Sequence, residues 1–151
     1  MIYYLKNGDS ELVFKGEYTH GNIRSGHLAT NDIIWLATEE GLCRFDIHTG
    51  EFKHIKTKIF TDANSVICDN RSRVWVGTEK RLTAYLAESG TFAVFGESDG
   101  AVPNEYLPKP HLLAKNGDVY LGGVSGLLHI RSSYTIDASE KPVLKLNEVT
   151  I

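Results

Sequence analysis

With 151 residues, 42% of them apolar and 23% charged, the chain has the composition of one ordinary globular domain with a core of its own. A formal net charge of −3, with acidic and basic residues interspersed, argues against a nucleic-acid partner or an anionic-membrane surface. Two cysteines are too few for a disulfide framework, no apolar leader opens the chain, and the longest apolar run, Ile33 to Ala37, cannot span a bilayer, so direct membrane insertion is not expected.

The first predicted element is a hairpin. Ile2-Tyr3-Tyr4-Leu5 and Leu12-Val13-Phe14 flank the turn formers Asn7-Gly8-Asp9. A strand–turn–strand stretch follows, Ile34-Trp35-Leu36-Ala37-Thr38-Glu39-Glu40-Gly41-Leu42. It returns as Val74-Trp75-Val76-Gly77-Thr78-Glu79-Lys80-Arg81-Leu82, and again as Val119-Tyr120-Leu121-Gly122-Gly123-Val124-Ser125-Gly126-Leu127. Sliding residues 32–55 by 40 lays Trp35 on Trp75, Thr38 on Thr78, Leu42 on Leu82 and Phe52 on Phe92. A further slide of 45 lays Trp75 on Tyr120, Gly77 on Gly122 and Leu82 on Leu127. That interval, with several short strands in each unit, is the period of a β-propeller blade.

The second unit resolves into four strands joined by tight turns, and no window keeps the apolar spacing of a helix. The fold class is therefore all-β: a partial β-propeller of about three and a half four-stranded antiparallel blades. Residues 1–24 form the outer hairpin of a preceding blade, residues 25–60 and 61–98 two full blades, and residues 99–136 the last blade, whose outer strand is either Tyr134-Thr135-Ile136 or missing. Residues 137–151 make a linker and the first strand of a following β domain. Strands as continuously apolar as Ile33 to Ala37 are buried on both faces, so Trp35 and Trp75 read as blade-to-blade packing and Cys43 and Cys68 as buried core thiols. Propellers close with four or more blades, so an arc this short is read as part of a larger ring and is expected to cover its open edges by self-association.

These residues resemble a known family. The unit Asp69-Asn70-Arg71-Ser72-Arg73-Val74-Trp75-Val76-Gly77-Thr78 is similar to the regulator-propeller repeat that fills the periplasmic sensor regions of hybrid two-component systems in Bacteroidetes. Asp99-Gly100-Ala101-Val102-Pro103-Asn104 resembles that family's connection between blades. Asn104-Glu105-Tyr106 together with Gly117 to Leu127 resembles the last blade before its immunoglobulin-like domain, and Pro142 to Ile151 the first strand of that domain. Ala37 and Arg81 depart from the pattern where the repeat has glycine. The resemblance implies a periplasmic sensor that receives a glycan-derived signal and hands it to a histidine kinase, whose catalytic parts lie outside this chain.

The residues themselves supply little chemistry. There is no phosphate-binding loop, no His-Glu-x-x-His and no Cys-x-x-Cys, and the six histidines are scattered, so no catalytic residue, cofactor or metal site is expected. Glycoside hydrolysis needs two facing carboxyls, whereas Glu39, Glu40 and Glu79 lie in blade turns and Asp32, Asp69 and Asp118 flank strands as turn residues. His27 and His111 stand near the starts of innermost strands, and Asn64 opens the corresponding strand of the middle unit. Such positions border the mouth of a propeller's channel, so these three are the candidate ligand-binding residues, with an oligosaccharide as the partner. The alternatives are a dimerisation scaffold whose ligand binds elsewhere, and part of a propeller-fold carbohydrate-active enzyme.

Overall fold

The computed structural model describes residues 2–4, 13–19, 21–101, 104–136 and 143–145. Among them every regular element is a strand except the single 3₁₀ turn Glu97–Asp99. β1 (Ile2–Tyr4) pairs antiparallel with β2 (Val13–Gly16) as a separate hairpin, while the turn predicted at Asn7-Gly8-Asp9 lies outside the described residues. The first blade is a four-stranded meander of β3 (Ile23–Leu28), β4 (Ile33–Thr38), β5 (Gly41–Asp46) and β6 (Phe52–Ile55). The second comprises β7 (Ser65–Cys68), β8 (Arg73–Gly77), β9 (Leu82–Leu86) and β10 (Thr91–Phe95). The third has three strands, β11 (Tyr106–Leu113), β12 (Val119–Gly123) and β13 (Gly126–Ile130).

The blades repeat because their turns repeat. Asp32, Ser72 and Gly117 occupy equivalent positions between the first two strands of each blade, and all three adopt left-handed φ, at 60°, 59° and 90°. The next turn is held by a hydroxyl in two blades. Thr38 Oγ1 accepts from Glu40 N and donates to the Gly41 carbonyl, and Thr78 Oγ1 accepts from Lys80 N and donates to the Arg81 carbonyl. In the third blade the corresponding residue is Gly123, and the amide of Asn104 reaches in from the preceding linker. Its Oδ1 accepts from Ser125 N and its Nδ2 donates to the Gly126 carbonyl. A Cβ on Gly123 would collide with that amide. The glycine thus makes room for a borrowed side chain that performs the threonine's task.

Two interfaces hold the arc together. Trp35, Leu42, Ile55, Phe60, Val66, Tyr85 and Phe92 belong to one cluster between the first two blades, with the Trp35 and Tyr85 rings edge to face at 5.7 Å. Trp75, Leu82, Phe95, Tyr106, Val119, Leu121 and Ile130 belong to the cluster between the second and third. The tryptophans fill the inter-blade positions expected of them, and both cysteines are buried. At each junction a backbone bond ties one blade's entry to the preceding turn, Ala63 N to the Thr38 carbonyl and Tyr106 N to the Thr78 carbonyl, both 2.9 Å.

After β13 the chain leaves its own blade. Tyr134–Ile136, the sequence candidate for a fourth strand, runs without strand pairing, because Arg71 and Arg73 both donate to the Tyr134 carbonyl and its ring packs near Trp75 and Phe95. Val143–Lys145 (β14), read from the sequence as belonging to a following domain, pairs with Thr91–Ala93 as a fifth strand of the second blade.

Candidate functional site

The innermost strands β3, β7 and β11 gather at the centre of the arc, and the three candidate residues sit on or beside them. They divide between the two ends: Asn64 stands at a strand start as expected, whereas His27 and His111 lie near the ends of β3 and β11 and not at their starts, because both strands begin several residues earlier than the apolar pattern indicated. Asn64 precedes the first residue of β7, whereas the His27 ring bonds the last, at Cys68 N, 3.1 Å away. A four-residue strand at ~3.3 Å per residue keeps these ends about 13 Å apart.

At the strand-start end Asn64 is a clip. Its Oδ1 accepts from Arg24 at 2.8 Å, its Nδ2 donates to the Tyr106 carbonyl at 2.7 Å, and its backbone N–H donates to Gly77. One side chain therefore joins strands of all three blades. Arg24 also pairs with Asp62 at 2.7 Å, and its charge helps, after two hydrogen bonds from Asn22, to hold the Glu39 carboxyl below the usual range. Sequence reasoning overlooked Arg24, although the 40-residue slide lays it on Asn64.

At the other end His27 and His111 come within electrostatic reach of each other. His27 pairs with Trp35 and His111 with Leu121, so they lie one position out of step in the repeat. Alternate strand residues face opposite ways, so this offset turns His27 forward from the first blade and His111 back from the third. The backbone fixes both tautomers. Cys68 N–H donates to His27 Nδ1, leaving the neutral ring's proton on Nε2. His111 Nδ1 lies 2.9 Å from the Pro108 carbonyl, which only accepts, so its proton is on Nδ1 and its Nε2 is an acceptor. Burial first, and the proximity of His111 second, hold His27 below the ordinary histidine value.

Four of the six acidic side chains weighed in the sequence, Asp32, Glu39, Asp69 and Asp118, are engaged within the chain. Asp69 accepts from Arg71 N, Arg73 N, Arg73 Nε and Trp75 Nε1. Asp118 accepts from Ser132 N and pairs with His129, which together lower its pKa. Asp32 meets His48 at 2.9 Å. Burial pushes the Cys43 and Cys68 thiols up to about 11. Among the described residues no three His, Cys, Asp or Glu side chains are grouped to hold a metal, and no helix is long and apolar enough to cross a membrane.

No protein-family model matches the chain, and no curated protein matches it in sequence. Solved structures do. The extracellular domain assigned to the hybrid two-component system BT3049 of B. thetaiotaomicron superimposes on 83% of the chain with a TM-score of 0.69 at 19% identity. That of BT4673 from the same organism superimposes on 95% with a TM-score of 0.61 at 25% identity. The chain spans 18% and 19% of the length of those two domains. Its fold, a partial β-propeller, is one found in the extracellular domains of hybrid two-component systems.

Proposed function

We propose that the chain is a non-catalytic part of the ligand-recognition region of a hybrid two-component receptor, periplasmic in location, coupled to a histidine kinase in the longer protein and responsive to an oligosaccharide. The observation that carries this reading is the likeness to the BT4673 extracellular domain over 95% of the chain. The short span of that likeness, 19% of the larger domain, supports a role as a few blades of a longer propeller. So does Leu127, which is 61% exposed although its equivalents Leu42 and Leu82 are buried in blade interfaces at 0% and 3%. The isolated chain would cover that face by self-association.

The His27–His111 end favours a polyhydroxylated ligand. One Nε2 is a donor and the other an acceptor, and a sugar hydroxyl can take one bond and give the other. The carboxylates bound within the chain support reading it as a recognition element without hydrolytic chemistry. A scaffold role is a second reading, favoured by Asn64, whose carbonyl oxygen and amide nitrogen already serve inter-blade bonds. Titration calorimetry with a panel of oligosaccharides, on this chain and on the complete extracellular region, separates the two. Heat of binding from both supports recognition by these blades, and heat from the complete region alone supports the scaffold.

A further inference from the structure

The turn between the second and third strands recurs in all three blades, but its residues differ. The residue that ends it is Gly41 in the first blade and Gly126 in the third, at φ 101° and 136°. In the second blade it is Arg81. Among the described residues only Asp32 and Ser72 reach positive φ without being glycine, so Arg81 sits in the ordinary backbone region. Thr78 rebuilds the turn around it. Its Oγ1 accepts from both Lys80 N and Arg81 N and donates to the Arg81 carbonyl, and its own N–H bonds that carbonyl at 3.0 Å. The backbone is thus satisfied within the turn, and the exposed Lys80 and Arg81 side chains have no ion-pair partner among the described residues.

A cleft of about 300 Å³ lies between this turn and residues 58–62, which carry the chain from the first blade into the second. Lys58, Lys80 and Arg81 all line it, and Lys58 likewise has no ion-pair partner among the described residues. Of the two carboxylates in the lining, Asp62 is bonded to Arg24 at 2.7 Å, which leaves Glu79 alone against three cations. Charges around so small a space act together, because the screening length at physiological salt is ~8 Å. Phe60 supplies an apolar wall and Thr61 a hydroxyl. The equivalent cleft at the third blade's turn is about 130 Å³ and has no charged side chain in its lining. At the first blade's turn the positions of Lys80 and Arg81 hold Glu40 and Gly41. The cationic cleft therefore belongs to one turn of the repeat and not to the blade architecture.

We propose that this cleft binds the anionic group of an acidic saccharide, a carboxylate or a sulfate. The Arg81 guanidinium offers a planar fork to two oxygens of that group, Lys58 and Lys80 add charge, and Phe60 gives the sugar ring an apolar wall. The cleft lies at the strand-start end, with Asp62 two residues before Asn64, and so is separate from His27 and His111. The inference rests on the reading of the chain as an oligosaccharide-recognition element, but its test does not involve the histidine end.

The probes are trigalacturonate, galactose 6-sulfate, neutral galactotriose and inorganic sulfate, each titrated into the ¹⁵N-labelled chain. Saturable shifts of the amides of residues 58–62 and 78–81 are expected with an acidic sugar, and binding should weaken as salt is raised. The acidic sugar that binds more tightly identifies the group as carboxylate or sulfate. Galactotriose should leave those amides unmoved. Arg81→Gly, which restores the residue of the other two turns, and Lys58→Ala/Lys80→Ala should each weaken binding at least about tenfold, with the rest of the spectrum retained. Absence of saturable binding of both acidic sugars, equal binding of galactotriose or of inorganic sulfate, or unchanged affinity in either variant would overturn the proposal. So would shifts centred on residues 27 and 111. If the acidic sugars bind here while the complete extracellular region binds no oligosaccharide through His27 and His111, the reading of that end fails and the cleft stands.

Discussion

The two blade interfaces solve one packing problem by different means. Between the first and second blades the seal is aromatic and aliphatic, with Trp35 against Tyr85 and Phe60 against Phe92. At the equivalent turn Ala29 and Ile33 present nothing to pair. In the second blade these positions are Asp69 and Arg73, and their buried ion pair also accepts Trp75 Nε1 and holds the Tyr134 carbonyl. The first interface is closed by side chains of its own two blades. The second is closed partly by polar bonds to a segment that has left its blade, and it retains a cavity. The difference shows that a repeat can keep its backbone register while one interface is converted from a seal into a junction with something further along the chain.

The largest effect is expected at that ion pair. Asp69→Ala leaves the Arg73 guanidinium buried without its carboxylate, at a cost of about 3–5 kcal/mol in stability by urea denaturation. The double variant Asp69→Ala/Arg73→Ile restores the pattern of the first blade and should recover most of the loss. If the double variant is no more stable than the single, the two interfaces are not interchangeable in this way. Gly77→Ala comes next. A Cβ there would stand 2.5 Å from the Cβ of Tyr106, and the resulting overpacking should cost about 1–3 kcal/mol. Ala37 already occupies the equivalent position in the first blade without crowding from a third-blade tyrosine, so Ala37→Gly should cost only about 1 kcal/mol. Comparable melting temperatures for Gly77→Ala and the parent would contradict that contrast.

A smaller effect is expected at the borrowed turn. Asn104→Ala removes two hydrogen bonds and should cost about 1–2 kcal/mol. Adding Gly123→Thr to it rebuilds the turn of the other two blades and should restore stability, whereas Gly123→Thr alone should clash with Asn104. The smallest effect is on pH dependence. His27 is held below 6.5 in the folded chain, so the unfolded chain takes up its proton first. Its contribution is present above pH 6.5 and is lost as the pH falls below that value. His27→Gln should flatten the fall in melting temperature between about pH 7 and pH 5. An unchanged slope would show that His27 does not contribute to the pH dependence.

Much of the fold was legible in the sequence because blade packing is written as residue type at a fixed interval: Trp35 and Trp75, Thr38 and Thr78, Leu42 and Leu82. The interval also carried the information that His27 and His111 are one step out of phase, but the consequence, that they turn towards each other, needed the strand register. The Asp69–Arg73 pair was hidden because each residue has an ordinary local explanation as a turn or strand-start polar group, and its burial depends on Tyr134, over sixty positions away. Asn64 read as a channel-mouth residue because its position is right for one. Its three bonds run to distant strands that no local pattern reveals.

We propose that His27 and His111, turned towards each other at one end of the inner strands, contact the ligand. Calorimetry on the complete extracellular region carrying His27→Ala and His111→Ala, against an oligosaccharide that the parent region binds, tests it most directly. A loss of at least about tenfold in affinity is expected, with the fold retained. Unchanged affinity in the folded double variant would contradict it.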